Sequence, residues 1–312
     1  QCSKHDTDFL LIKGYAIAKS PLRQMSDLDV LINEKDIDKA FEVLTSYGYR
    51  YVGSGVLSKQ ERENPQSQYK WNNQYQFQVP DSNLVIEVHT NLFEKDRIRL
   101  EKLDGLLENV DIFWQNRIWD SDLQCYLPVK EATLALLCVH SATKRSPAAN
   151  TYIIRQAHDI AKLLENGINE EYFLSLCTTF RIQCYAFFSL SLTAIILKSK
   201  SEEKLSRDLE STLTKGEKYL GQVHLRCYKG PGNASVLRRK QYALCMPLII
   251  GGGFTKSIRW YKEAIFAPLW IQEKRFGIDR TSPLIYLTYF FGPIYRISNA
   301  IKKRKLEKKA RL

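Results

Sequence analysis

Ser26-Asp27-Leu28-Asp29-Val30-Leu31-Ile32 alternates polar and apolar residues, and that alternation decides how the amino-terminal part of the chain folds. Period two marks a β-strand. Asp27, Asp29 and Leu31 project to one face of it, and Leu28, Val30 and Ile32 to the other. Two carboxylates at i and i+2 then stand roughly 6–7 Å apart along the backbone, close enough to converge on one hard cation or to bridge two. Buried unpaired carboxylates are costly, so an Asp pair inside an apolar strand calls for a positive partner.

A second strand answers the first. Leu84-Val85-Ile86-Glu87-Val88-His89 places Glu87 and His89 on one face with Val85. Magnesium takes carboxylate oxygens and substrate phosphates in octahedral geometry, so the Asp pair needs a third protein ligand and a phosphate, and Glu87 is the natural third. Three acids without a His-rich cluster fit Mg²⁺ or Mn²⁺ better than zinc. His89 reads equally as a residue that orients the carboxylate or meets substrate, and as a packing histidine.

Upstream, Phe9–Ile12 is a brief apolar strand running into Lys13-Gly14, with Tyr15–Ser20 a short helix stopped by Pro21. Glycine at such a handover lets a backbone approach closely, and a helix start offers free N–H groups to phosphate. Lys13 and Arg23 suit the neutralisation of a triphosphate, although surface roles explain them as well. No GxxxxGK[ST] loop is present.

Downstream, Asn33 with Asp36 reads as a capping box opening a helix whose apolar face is Ile37, Ala40, Phe41 and Leu44, with Gly48 as its stop. Tyr49–Val52 reads as a strand, Ser54–Gln68 as a polar loop, and Tyr69–Val79 with Leu84–Asn91 as a hairpin about Pro80-Asp81-Ser82-Asn83. Arg97–Trp119 reads as helix and linker. Beyond Pro128, Glu131–Ala142, Tyr152–Leu164 and Glu171–Leu197 have helical periodicity, and Ser201–Tyr219 continues as one charged amphipathic helix. The expected fold is α+β, a mixed sheet with helices followed by a mainly helical domain. Its expected divisions are a catalytic domain over 1–127, a helical domain over 128–200, and a helical carboxy-terminal region with a basic tail over 201–312.

Composition sets the bounds. The 312 residues are 44% hydrophobic and 26% charged, which excludes disorder as the main theme. Seven cysteines are scattered without a CxxC pair, and most lie among apolar neighbours. That pattern argues against a zinc site or a disulfide framework and for a reducing compartment. The apolar runs fall short of the ~20 residues that cross a bilayer. The chain opens at Gln1 inside ordinary sequence, which suggests an upstream segment.

Leu10-Leu-Ile-Lys-Gly14, Leu22-Arg-Gln-Met-Ser-Asp-Leu-Asp-Val-Leu-Ile32 and Ile86-Glu-Val-His89 together resemble the uncharacterised nucleotidyltransferase family of bacteria. That family lies within the broader DNA polymerase β-like nucleotidyltransferase superfamily. The resemblance implies that Asp27, Asp29 and Glu87 are the metal carboxylates, with Ser26 preceding the Asp pair. It also implies that Lys13, Gly14 and Arg23 line the phosphate side, with His89 beside the site. Leu136-Leu-Cys-Val-His140 and His158-Asp-Ile-Ala161 are similar to the family's post-catalytic helices; His140 and His158 read as structural, and Asp159 reads as a helix cap or a tie to the catalytic domain, a second-tier site residue.

The implied activity is transfer of a nucleoside monophosphate from an NTP to an acceptor hydroxyl. The acceptor stays open between a small molecule, a sugar, RNA and protein. The alternatives are a degenerate nucleotidyltransferase-fold scaffold and a peripheral membrane or nucleic-acid binding protein. The expected location is the cytoplasm, with the inner membrane face as a variant. Because clustered like charges disfavour ionisation, Asp27→Asn and Asp29→Asn are expected to leave the metal-free melting temperature unchanged or raised.

The net charge is +12, and +7 of it lies from Arg296 onward, where eight Lys or Arg face Glu307 alone. This run reads either as a solvated terminal helix or as a surface for anionic lipid or nucleic acid. If it is an interaction device, truncation after Ala300 weakens binding to anionic liposomes or RNA, and the difference fades with salt because exposed charges are screened over ~8 Å. Equal binding by both chains at low salt assigns the tail to solvation.

Overall fold

The computed structural model describes residues 8–13, 27–52, 74–93, 103–143, 149–229, 277–279 and 281–289, together with Glu273. Gly14, Arg23 and Ser26, the expected Tyr15–Ser20 helix, the Ser54–Gln68 loop and the basic run after Arg296 lie outside the described residues. The chain divides into two compact units, Gln1–Gly252 and Gly253–Leu312. In the second, a 3-10 turn at Pro283–Tyr286 is capped by Ser282, whose hydroxyl accepts from the Leu284 N–H.

The first unit is built on a mixed sheet of seven described strands. These are β1 (Phe9–Leu11), β2 (Asp27–Ile32), β3 (Arg50–Tyr51), β4 (Gln74–Gln78), β5 (Val85–His89), β6 (Arg117–Asp120) and β7 (Cys125–Pro128), in spatial order β3-β4-β5-β2-β1-β7-β6. The two strands carrying the acidic motifs are central neighbours, and they run parallel, with Asp29 beside Glu87 and Leu31 beside His89. β1 flanks β2 antiparallel and β4 flanks β5 antiparallel. The fold is α+β, as the alternation and helical periods imply.

One face of the sheet packs on α1 (Ile37–Ser46). Phe41 meets Tyr51, Tyr75 and Phe77 with ring centroids 5.5, 5.3 and 4.8 Å away, in the tilted and edge-on geometries aromatic pairs favour. Gly48, at φ +81°, ends the helix in the left-handed conformation glycine adopts without strain. The start differs from the expected capping box. The Asn33 side chain makes no cap bond, and a 3-10 turn over Glu34–Asp36, closed by Asp36 N–H on the Asn33 carbonyl, leads into α1.

The other face carries the larger core. Leu10, Ile12 and Leu31 belong to one buried cluster with residues of α2 (Asp104–Glu108), α3 (Asp111–Gln115), α4 (Lys130–Thr143), α5 (Ala149–Glu165), α6 (Glu170–Thr179), α7 (Gln183–Leu197) and α8 (Lys200–Thr212). α7 is apolar nearly all round (Tyr185, Phe187, Phe188, Leu190, Leu192) and sits at the centre, as such a helix must. No helix among the described residues is long and apolar enough to cross a membrane.

Three readings of the sequence are corrected. Arg97–Trp119 does not stay helical, because Arg117–Asp120 forms β6 and pairs with β7. The Arg117 guanidinium lies 4.3 Å from the Tyr126 ring centroid, and Trp119 packs edge-on against the same ring. Those contacts cross a hairpin, which one-dimensional periodicity does not register. Glu171–Leu197 is two helices, broken where Arg181 takes φ +56° and the Ile182 N–H turns back to the Cys177 carbonyl at 2.9 Å. Ser201–Tyr219 is also two, α8 and α9 (Lys215–Lys229). Their break is a capping box: Thr214 N–H donates to Glu217 Oε2 at 2.9 Å, and Glu217 N–H donates to Thr214 Oγ1 at 3.3 Å.

Phe180, at the α6–α7 break, stacks on Phe113 and is fully buried. Gly105 of α2 lies so close that an added Cβ would stand 2.3 Å from the Phe180 carbonyl oxygen. Gly105→Ala is therefore expected to destabilise the first unit by about 1–3 kcal/mol, the usual cost of overpacking, as read by urea denaturation. An unchanged midpoint would show that α2 moves freely on α6.

Candidate functional site

The parallel register brings the acids together. Asp29 and Glu87 are direct neighbours across β2 and β5, and His89 is diagonal to Asp29 on the same face. One ligand atom from each of Asp29, Glu87 and His89 lies within 4.8 Å of the others. Asp27 is on the same face of β2, half-buried and opposite Val85, and is not one of the three converging groups.

Three side chains hold the two acids in place. Lys13 Nζ donates to Asp29 Oδ1 at 2.6 Å, and both side chains are 12% exposed. His89 Nε2 lies 2.9 Å from the same oxygen and 3.7 Å from Glu87 Oε2. Gln76, opposite Glu87 on β4, donates through Nε2 to Glu87 Oε1 at 2.7 Å. An ionised Asp29 can only accept, so the hydrogen bond is donated by His89 Nε2–H. His89 Nδ1 is then a buried ring atom without a hydrogen-bond partner.

These contacts decide the charge state. Burial alone would push the Asp29 carboxyl up, but the Lys13 ammonium and the His89 hydrogen bond outweigh it and hold the group well below the usual carboxylate range. Glu87 is likewise lowered: burial and the Asp29 charge oppose ionisation, while His89 and the Gln76 amide favour it more strongly. The like-charge repulsion expected from the sequence is thus overcome at Asp29, and the sign expected for Asp29→Asn reverses. Removing this carboxylate deletes an attractive pairing.

Two carboxylate oxygens and, with the His89 ring in its other tautomer, one imidazole nitrogen form a donor set that fits a small divalent ion such as Mg²⁺ or, better with nitrogen present, Mn²⁺. Lys13 was expected on the phosphate side; its ammonium rests on Asp29. Gln76 was not singled out from the sequence. A Gln-x-Gln-x-Gln alternation over Gln74–Gln78, on a strand facing Glu-x-His, is the signal that marks it. Among the helical candidates, Asp159 is buried in α5, and His140 is half-buried in α4.

A family model described as an uncharacterised nucleotidyltransferase matches residues 1–198, which is more than half of the chain, and the chain belongs to that family. No curated protein matches it. No solved structure matches it.

The lowered carboxyl of Asp29 has a consequence for acid stability. Because the group titrates lower in the folded than in the unfolded chain, its contribution is fully present above about pH 4. It is lost as pH falls from there through the folded value. In metal-free buffer, wild type is expected to lose stability between about pH 4 and about pH 2, while Asp29→Asn is less stable near neutrality and shows a shallower acid limb. Urea denaturation across that range reads both, and parallel limbs would remove the Lys13–Asp29 pairing from the folded state in solution.

Proposed function

We infer, from membership of the nucleotidyltransferase family and the make-up of this cluster, that the chain moves a nucleoside monophosphate from an NTP to an acceptor hydroxyl. Asp29 and Glu87, with Asp27 beside them, are proposed to hold Mg²⁺ or Mn²⁺. The observation that carries this reading is the pairing of Asp29 with Glu87 on adjacent parallel strands, where His89 brings a third ligand atom within 4.8 Å. When bound, the metal would lower the pKa of the acceptor hydroxyl and offset charge on the pyrophosphate leaving group.

The protein's part is positioning and electrostatics, which supply most of the rate in phosphoryl transfer generally. Gln76 fixes one oxygen of Glu87 and so aims the other into the cluster. His89 orients Asp29 through Nε2. Asp27, at the more exposed end of β2, completes the acidic face toward the triphosphate. Gly14, Arg23 and Ser26 are proposed for the phosphate side from the sequence resemblance alone. The acceptor is proposed to be a small molecule, a sugar, RNA or protein, and the basic tail to associate with an anionic membrane surface.

Thermal-shift titration with Mg²⁺ and each NTP tests the reading without knowing the acceptor. Wild type is expected to be stabilised by Mg²⁺ plus its NTP, and Asp29→Asn and Glu87→Gln to lose that increment. With an acceptor in hand, pyrophosphate release by either variant is expected to fall by at least about a hundredfold, since even outer-shell metal partners matter ten- to a hundredfold. Equal NTP stabilisation of all three proteins would return the carboxylates to a structural role.

A further inference from the structure

Lys13 and His89 converge on the same atom, Asp29 Oδ1, at 2.6 and 2.9 Å. Asp29 is also one of the three residues of the Asp29–Glu87–His89 cluster, to which it offers a carboxylate oxygen. An ammonium and a divalent cation on one carboxylate repel each other strongly in a site so little exposed to water. A metal entering the cluster must therefore compete with Lys13 for Asp29.

The placement of Lys13 is built into the fold. The Ile12 N–H donates to the Asp29 carbonyl at 3.0 Å, which fastens the end of β1 alongside β2. Lys13 follows directly at φ +62°, a left-handed conformation that a non-glycine residue adopts only when its surroundings hold it there. The backbone is thereby pinned beside Asp29, while the flexible four-carbon stem leaves the ammonium free to change partners. Among the described residues of β2 and β5, the other ionisable groups on this face are Asp27, Glu87 and His89. Two of these are acids, so the cluster without a cation carries an excess of negative charge that Lys13 offsets in part.

We propose that Lys13 is an exchangeable counter-ion: it holds Asp29 while the cluster lacks metal, and passes to the phosphates of the nucleotide when a divalent ion takes its place. This rests on the reading of Asp29 and Glu87 as metal-holding residues. Charge is conserved in the exchange. The divalent ion satisfies Asp29 and Glu87, and the displaced ammonium is satisfied by the triphosphate that arrives with the ion. Neither exchange partner is well accommodated alone, because metal without nucleotide leaves Lys13 without an anion beside a new positive charge. Metal and nucleotide therefore bind with positive coupling, and Lys13 carries it. Lys13 acts as a positioning residue, through Asp29 and the phosphates.

The test measures Mn²⁺ binding to the full chain by electron paramagnetic resonance, first with Mn²⁺ alone and then with α,β-methylene-ATP, which cannot release pyrophosphate. Wild type, Lys13→Met, Lys13→Arg and Asp29→Asn are compared, with melting temperatures to confirm folding and Lys13→Gln in reserve should Lys13→Met misfold. Lys13→Met is expected to bind Mn²⁺ alone about tenfold more tightly than wild type, about 1.4 kcal/mol by the usual conversion. Lys13→Arg is expected to stay near wild type. The gain in Mn²⁺ affinity that the nucleotide analogue gives wild type is expected to shrink about tenfold in Lys13→Met. A merely structural lysine would not raise metal affinity on removal. If wild type binds Mn²⁺ through Asp29 and folded Lys13→Met binds it no more tightly, the exchange is overturned and the metal site stands. If neither wild type nor Lys13→Met binds Mn²⁺ in a manner sensitive to Asp29→Asn, the exchange and the metal reading fall together.

Discussion

Two carboxylates set side by side on neighbouring parallel strands are the constraint that the rest of the site answers. Asp29 and Glu87 share a register position at the centre of the sheet, largely out of water. Like charges so placed disfavour joint ionisation. Lys13, His89 and Gln76 supply the opposing contributions, and each comes from a strand, or strand end, adjacent to the acids. β1 delivers the ammonium, β5 the imidazole and β4 the amide. The order of the central strands is thus also the order of the charge compensation.

The same two strands serve a second purpose through their period of two. Leu28, Val30 and Ile32 alternate with the acids on β2, and Ile86 and Val88 alternate with Glu87 and His89 on β5. Several of these apolar residues join Phe41, Tyr51, Tyr75 and Phe77 in the core under α1. A slip of one residue in either strand would turn a carboxylate into that aromatic cluster and an aliphatic side chain into the site. Burial on the reverse face therefore enforces register on the functional face. The convergence of Asp29, Glu87 and His89 is thus a by-product of a packing requirement.

What could be read from the sequence divides along the same line. The β2 and β5 strands, the α1 face and the glycine stop at Gly48 were legible because each is a local periodicity or a local conformational demand. The pairing of Asp29 with Glu87 specifically was not, since register depends on contacts between segments far apart in sequence. Lys13 was assigned to phosphate on its charge and its neighbouring glycine, and its contact with Asp29 emerges only once β1 is laid along β2. β6 was missed because its side chains are stabilised across a hairpin, by Arg117 and Trp119 on Tyr126. The α8–α9 break had a local signal, Thr-x-x-Glu at Thr214–Glu217, that amphipathic periodicity masked. Gln76 is marked in the sequence only by the Gln-x-Gln-x-Gln alternation over Gln74–Gln78. Only its position opposite Glu87 gives it a role.

Burial also gives the site a direction. Along β2 the functional face runs from half-buried Asp27, through Asp29, to fully buried Leu31. Along β5, parallel to it, the face runs from half-buried Val85, through Glu87, to buried His89. Leu31 belongs to the core that the helical layer forms on this side of the sheet. The carboxyl-terminal ends of both strands are therefore closed by apolar packing, and the amino-terminal ends, where Asp27 stands, are the more open. On the proposed function, a charged triphosphate would approach from the Asp27 end, since entry through the apolar core would strip its hydration uncompensated. On the proposed function, that geometry would separate the two acids of the Asp-x-Asp motif by task. Asp29, clamped between Lys13 and His89, belongs to the closed end of the cluster, where the protein dictates the ligand arrangement. Asp27 faces the approach, where an ion shared with an incoming phosphate would be met first.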